Sequence, residues 1–383
     1  MKYVQINAYS GGWADSIIFK KHRELVVAGD ESWVFWARGD REQDEHLQRI
    51  ASYPEVCLDV LQTRLDGKPG FHSKVITRRL LRKLDEIDPD VVHLHLLLGY
   101  YINVEMLFEW LAAHRCKVVW TLHDCWAFTG HCIHFTYAKC GQWRTGCACG
   151  ATCSQKRTYP ETLAGDEAVR WSYEQKMRLF TMLPTNRVQL ITPSQWLADL
   201  VKQSFLGEYN VEIVHDTVNT EIFKPTPSDF RERNGLRGRF VVLGVASKWN
   251  ERKGLPVFVR LARELDPERF AVVVVGLSKK QIKQARAEAP SIVALPRTNY
   301  MEELAEIYTA CDVLLNPSAE ETFGMNVAEA AACGTGAIVV EGSACAEVAD
   351  PEKMVTVPVG LEGLTNAVIS MADSATIGRL VCK

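Results

Sequence analysis

Glu321 and Glu329 stand eight positions apart in the stretch DVLLNPSAEETFGMNVAEAAACGTGAIVV. The apolar pattern ends a strand near Pro317 and opens a helix around Asn326, which stops at Cys333-Gly334. Glu321 therefore falls in the loop at the carboxyl end of the strand, and Glu329 on the first turn or so of the helix. The backbone N–H groups of Gly324, Met325 and Asn326 are free donors at a helix start, suited to a diphosphate. Gly324 lets that backbone approach a ligand with no Cβ in the way. A carboxylate on the helix can accept two hydrogen bonds from a ribose diol, and one in the loop can bind sugar hydroxyls. On spacing alone, two solvated glutamates are the plainer reading.

Several other residues could do chemistry. Lys248, Arg252 and Lys253 crowd the loop SKWNERKGL. Gly11 and Gly12 follow the first strand-like run, and His123 ends the run KVVWTLHD. Of twelve cysteines, six lie between Cys125 and Cys153. The start MKYVQINAYSGG lacks the features of a signal peptide, and no segment approaches ~18 to 20 uninterrupted apolar residues. The expected location is the cytoplasm, where cysteines serve as thiols or metal ligands rather than disulfides.

The elements that must position these residues read as α/β. The 383 residues exceed one usual core, so two domains are expected. KYVQINA, SWVFWA, DVVHLHL, KVVWTLHD, VQLITPS and VEIVHD alternate with helical patterns in the first half. RFVVLGVAS, AVVVVGL, SIVAL, DVLLNPS and GAIVV repeat that grammar in the second. Such runs predict two doubly wound, Rossmann-like parallel sheets facing across a cleft, where ligands meet the carboxyl ends of the strands. The proline-bearing TEIFKPTPSDF is the best linker, dividing the chain into 1–222 and 223–383. Neither G-x-G-x-x-G after the first strand nor a P-loop is present, which weakens dehydrogenase and NTPase readings. A net charge of −3 offers no global field for nucleic acid or anionic lipid.

Glu-Thr-Phe-Gly, from Glu321 through Phe323 to Gly324, followed by Glu329-Ala-x-Ala-Cys-Gly-Thr, resembles the donor-site signature of glycosyltransferase family 4. Gly336 departs from it, where the family usually has proline. The resemblance implies the GT-B fold and a retaining hexosyltransferase using a UDP- or GDP-sugar. It extends to SKWNERKGL, in which Lys253 matches the lysine that holds the donor diphosphate. Either Lys248 or Arg252 stands in for the family's arginine. The same resemblance sets Gly11 and Gly12 under the transferring sugar and His123 beside it. Donor contacts would thus come from Gly11, Gly12, Lys248, Arg252, Lys253, Glu321, Phe323, Gly324, Met325, Asn326 and Glu329, with His123, Lys253 and Glu321 nearest the chemistry. In that resemblance the leaving phosphate takes the acceptor proton, so no Asp or Glu nucleophile is sought, and no cofactor is expected for catalysis. Family members usually return C-terminal helices across the first domain, and here only SATIGRLVCK follows the last helical stretch.

The segment from His123 to Pro160 is similar to an insert in bacterial exopolysaccharide glycosyltransferases of the colanic-acid type. Cys132, Cys140, Cys147 and Cys153 match its cysteine series, and four thiolates so close suit a structural zinc. Buried, inert thiols are the alternative. The helix SKVITRRLLRKLDEID carries Ile76, Leu80, Leu84 and Ile87 on one face and Arg78, Arg79, Arg82 and Lys83 elsewhere. It reads first as a helix packed on the sheet, second as a contact to anionic lipid headgroups. The acceptor expected is a surface-polysaccharide or polyprenyl-linked glycan, with peripheral association at the inner membrane surface and no nucleic-acid partner. Competing readings are a sugar-nucleotide epimerase of related fold and a catalytically silent scaffold in polysaccharide assembly.

Overall fold

The computed structural model describes residues 1–12, 15–348 and 352–381. The chain divides between Thr217 and Val218 into two units, each built on one parallel sheet. In the first, β1 (Lys2–Tyr9), β2 (Glu31–Arg38), β3 (Leu47–Arg49), β4 (Val91–Leu94), β5 (Lys117–Thr121), β6 (Val188–Thr192) and β7 (Asn210–Ile213) lie in the order β3-β2-β1-β4-β5-β6-β7. Its helices are α1 (Lys20–Val27), α2 (Tyr53–Asp66), α3 (Lys74–Ile87), α4 (Val104–Ala113), α5 (Asp166–Phe180) and α6 (Gln195–Lys202).

The second unit begins with the short α7 (Phe230–Arg233) and alternates β8 (Phe240–Val245), α8 (Leu255–Glu264), β9 (Phe270–Val275), α9 (Lys279–Glu288), β10 (Val293–Leu295), α10 (Met301–Ala310), β11 (Val313–Asn316), α11 (Met325–Ala332) and β12 (Gly336–Val340). It closes with β13 (Met354–Val357) and α12 (Leu361–Val381), and its strand order is β10-β9-β8-β11-β12-β13. Crossover helices between parallel neighbours cover both faces of such a sheet.

Two strands escaped the reading of the sequence, β3 and β13. Both are edge strands of only three or four residues, too short for an apolar pattern. The division falls a few residues before the proline-rich linker, because Val218, Ile222 and Phe223 already pack into the second unit's core.

The two sheets differ in what their faces carry. In the second unit Val242, Val272 and Val313 enter one apolar cluster, while their strand neighbours Val241, Val273 and Leu314 enter another. Period-two alternation with both faces dry yields the unbroken apolar runs. In the first unit Val4, Ile6, Val92, Leu94, Val118 and Trp120 make one face. The opposite face holds the buried polar side chains Gln5, Asn7, His93 and Thr121. Among the described residues no helix is long and apolar enough to cross a membrane.

Candidate functional site

In the second unit the loop after β8 lies against the loop after β11. Gly254 makes that contact: its φ is +72°, and a Cβ there would stand 2.8 Å from Pro317 Cγ. The close approach delivers Arg252 and Lys253 to Glu321, 68 positions further along the chain. Lys253 Nζ donates to Glu321 Oε1 in a short ion pair, and Arg252 Nη1 stands 3.4 Å from the same oxygen. Arg252 also donates to Ser318 Oγ at 3.3 Å and to the Glu320 carbonyl. Burial by itself would raise the Glu321 carboxyl; the Lys253 and Arg252 cations outweigh it and hold the group at about 2. Glu321 is thus a buried, fully ionised carboxylate. Lys248, on the same loop, is exposed.

Gly324 caps α11 with φ +105°, and a Cβ there would meet Cys345 Sγ at 2.7 Å. Phe323 is buried beside it, and Met325 is half-buried. The helix start keeps the orphan N–H groups that every α-helix has. Asn326 has a further task that its sequence position did not suggest. Its Oδ1 accepts from Asn316 Nδ2 at 3.1 Å and its Nδ2 donates to the Val245 carbonyl at 3.1 Å. The side chain therefore ties the ends of β8 and β11 to the first turn of α11.

Glu329 lies on the same helix in a different environment. Tyr308, fully buried on α10, donates its hydroxyl to Glu329 Oε2 at 2.8 Å. Burial pushes the Glu329 carboxyl up to about 7, and the tyrosine hydrogen bond offsets only part of that. Tyr308 itself carries no signal in the sequence beyond its place in an amphipathic helix.

In the first unit, His123 follows β5 and stacks near His95, with ring centroids 5.7 Å apart and Nε2 3.4 Å from His95 Nδ1. His95 stacks in turn on His93 at 4.1 Å, and His93 bridges the Tyr3 hydroxyl at 2.9 Å and Thr121 Oγ1 at 2.8 Å. Burial lowers His93 and His123 to about 3, and His95 falls well below its usual value, so all three imidazoles are neutral at pH 7. His93 and His95 were not singled out in the sequence. Their alternation in DVVHLHL, against apolar Val92 and Leu94, was the available signal. Gly11 and Gly12 lie exposed after β1; Gly12 has φ +66°, and a Cβ on either would meet nothing within 4 Å.

Cys132, Cys140, Cys147 and Cys153 form a cluster in which burial, and after it the neighbouring thiols, raise Cys132, Cys147 and Cys153. Gly130 N–H donates to Cys147 Sγ at 3.1 Å. Among the described residues, however, no group of three or more His, Cys, Asp or Glu is placed to hold a metal ion. The segment's aromatic side chains Trp126, Phe128, Phe135 and Trp143, all nearly or fully buried, join the core of the first unit. Lys176 of α5 is buried there too, donating to the Trp126 carbonyl at 2.7 Å with its ammonium 4.1 Å from the centre of that indole ring.

Comparison with known proteins agrees with this architecture. A family model described as "Glycosyltransferase Family 4" matches residues 18–222, and one described as "Glycosyl transferases group 1" matches residues 239–374. The chain is 31% identical over 199 residues to the colanic acid biosynthesis glycosyl transferase WcaC, so named in Escherichia coli K12, covering 50% of this chain and 45% of that one. It is 28% identical to the alpha-galactosylglucosyldiacylglycerol synthase of Streptococcus pneumoniae R6, over 45% of this chain and 50% of the relative. It spans half or less of the length of these curated relatives. Among solved structures, Anabaena HepE in complex with UDP and glucose superposes with a TM-score of 0.62 at 14% identity, covering 98% of this chain and 91% of that one. The sucrose-phosphate synthase of Thermosynechococcus elongatus gives 0.66 at 15%, covering 97% and 90%. These structural likenesses establish the α/β GT-B fold. With a family model matched over more than half of its length, the chain belongs to glycosyltransferase family 4.

Proposed function

We propose that this chain transfers a hexose, with retention, from a nucleotide-diphosphate sugar to a surface-polysaccharide or lipid-linked glycan. The observation that carries the reading is the junction of Lys253, Arg252 and Glu321 beside the amino end of α11. As the bond from the anomeric carbon to the diphosphate oxygen breaks, negative charge grows on the leaving nucleotide. Lys253 and the first N–H groups of α11 are preorganised to stabilise that charge, and Arg252 with the Glu320 carbonyl fixes the loop that presents them. Glu321 accepts hydroxyl hydrogen bonds from the sugar, and Glu329 those of the ribose diol. The acceptor oxygen forms its bond on the face the nucleotide leaves, and its proton passes to the leaving phosphate. His123, held neutral by burial, meets the sugar as a hydrogen-bonding group rather than as an acid.

UDP-sugars come first among donors to try, since UDP and glucose occupy the HepE complex. Thermal shift across a panel of UDP- and GDP-sugars identifies the donor, because a ligand that binds only the folded chain raises its melting temperature. Turnover of that donor, with and without glycan acceptors, then tests the activity. A chain stabilised by no nucleotide sugar sinks the proposal, and binding without hydrolysis or transfer assigns a silent scaffold instead. His123→Ala should lower transfer far more than nucleotide affinity; equal losses would remove it from the sugar.

A structural zinc on Cys132, Cys140, Cys147 and Cys153 belongs to the same reading. It requires the four sulfurs to draw together into one tetrahedral shell. Metal analysis should find about one zinc per chain, with chelation lowering the melting temperature. Metal-free protein of unchanged stability ends the idea.

A further inference from the structure

Helix α2 packs Val56 and Val60 on the core but turns its leucines outward. Its buried positions are Val56, Asp59 and Thr63, whereas Leu58, Leu61 and Leu65, spaced to share one helical face, are 56%, 55% and 63% exposed. An amphipathic helix of a globular domain ordinarily does the reverse. Tyr53 at the start of α2 is 79% exposed, and Val75 at the start of α3 is 60% exposed. Leu58 and Val75 line the same hollow of about 530 Å³, with Phe71 and Ile76 at its apolar wall and Lys74 at its rim.

Polar contacts on the buried side fix this orientation. Asp59 accepts hydrogen bonds from Ser73 Oγ and from Thr63 Oγ1, the latter at 3.2 Å. Glu55 closes a capping box on Ser52 and pairs with Arg79 of α3. The Arg64 carbonyl accepts from Leu163 N–H at 2.8 Å and from Thr162 Oγ1 at 3.2 Å. Rolling the leucines inward would break the contacts to Ser73, Arg79, Thr162 and Leu163 and leave the Asp59 carboxyl with only Thr63 of its own helix. The apolar ridge is therefore held outward by the fold.

The charge beside the ridge selects its occupant. Lys74, Arg78, Arg79 and Arg82 are exposed on α3, and Arg79 reaches α2 through Glu55. A second copy meeting this face about a twofold axis would set the basic row near its own image. Anionic lipid headgroups complement it, and leucine flanked by arginine and lysine is the composition of a helix lying in a bilayer interface. We propose that the α2–α3 face docks on an anionic lipid bilayer, with the leucines of α2 in the acyl boundary and the basic side chains of α3 among the headgroups. The transferase reading supplies its purpose, a lipid-held acceptor, but the docking is read out on its own.

The test is co-sedimentation of the full chain with phosphatidylcholine vesicles, with and without about 30% phosphatidylglycerol. The expected result is binding to the anionic vesicles and little to the neutral ones. The triple variant Leu58→Gln, Leu61→Gln, Leu65→Gln should lose about tenfold or more of that partitioning at any salt concentration. Arg78→Ser with Arg82→Ser should lose several-fold at low salt and converge on the wild type at high salt. Melting temperature and nucleotide titration of each variant establish that the fold is retained. Wild type that ignores anionic vesicles, or a leucine variant that binds them as tightly, overturns the proposal. So does a dimer in sedimentation velocity that the leucine substitutions dissolve, which would give the face to a second copy. Vesicle binding by a chain with no affinity for nucleotide sugars would reject the transferase reading and keep the docking.

Discussion

Glu321 and Glu329 belong to one signature and flank one helix start, yet the fold treats them in opposite ways. Both are drawn out of water, which raises a carboxyl pKa. Around Glu321 two cations overcome that rise and the group sits at about 2, whereas Glu329 has only a tyrosine hydroxyl and rises to about 7. Glu321 is thus a permanent anion whose charge organises the Lys253 loop. Glu329 changes charge near neutrality, and in the donor role proposed for it a ribose diol would compete with Tyr308 for that carboxyl. Of the two, the first carries a fixed charge and the second one that changes near pH 7.

The contrast can be broken at several points. The largest effect is expected at Lys253→Ala, which removes the cation proposed to face the leaving group and leaves Glu321 with Arg252 alone. Turnover should fall about 10²- to 10³-fold, the loss typical of one preorganised charge-stabilising group. An unchanged kcat/KM would exclude the role. The same variant destabilises the fold, because a buried carboxylate loses its nearer partner. Glu321→Gln in the Lys253→Ala background should recover part of that stability, and a double-mutant cycle should show coupling of about 1–3 kcal/mol. Additive losses would mean that the pair is not energetically joined.

Glu329→Ala is expected to cost about tenfold in nucleotide affinity, the loss of one or two hydrogen bonds to a diol, with the melting temperature little changed. Tyr308→Phe should weaken nucleotide binding less, or strengthen it, since it removes the competitor for Glu329. Isothermal titration of both variants separates these outcomes, and equal affinities throughout would take Glu329 out of the donor site.

The smallest effects are in the pH dependence of stability, where the two glutamates should have opposite signs. The folded pKa of Glu321 lies below its ordinary 4.5, so its contribution is present above pH 4.5 and is lost as pH falls towards 2. That of Glu329 lies above 4.5, so its contribution is full below pH 4.5 and is lost as pH rises through 7. Melting curves of wild type against Glu329→Gln should therefore diverge between pH 4.5 and 7, and those against Glu321→Gln below 4.5. Divergence in the same window for both would erase the distinction.

Much of the architecture was legible because burial on both faces of a parallel sheet writes itself as an unbroken apolar run. Val241 to Leu243 and Val272 to Val275 could hardly have been anything else. The edge strands β3 and β13 were not, since so few half-paired residues carry no period. Helix α3 showed its buried face through Ile76, Leu80 and Leu84, which are indeed inside. Helix α2 would have been read backwards by the same rule: polar pins from Ser73 and Arg79, remote in sequence, set its roll against its leucines.

Sequence by itself determined which residue types stand at the start of α11 and that a strand, a loop and a helix must present them. It determined too that Gly254 and Gly324 could adopt positive φ, which the turns around them use. Only the tertiary structure decided that Arg252, and not the exposed Lys248, reaches Glu321, that Asn326 spends its side chain on Asn316 and the Val245 carbonyl, and that the two glutamates titrate apart. The physical reason is that a carboxylate's charge state depends on the dielectric and the cations within a few ångströms, and those neighbours arrive from strands far away along the chain.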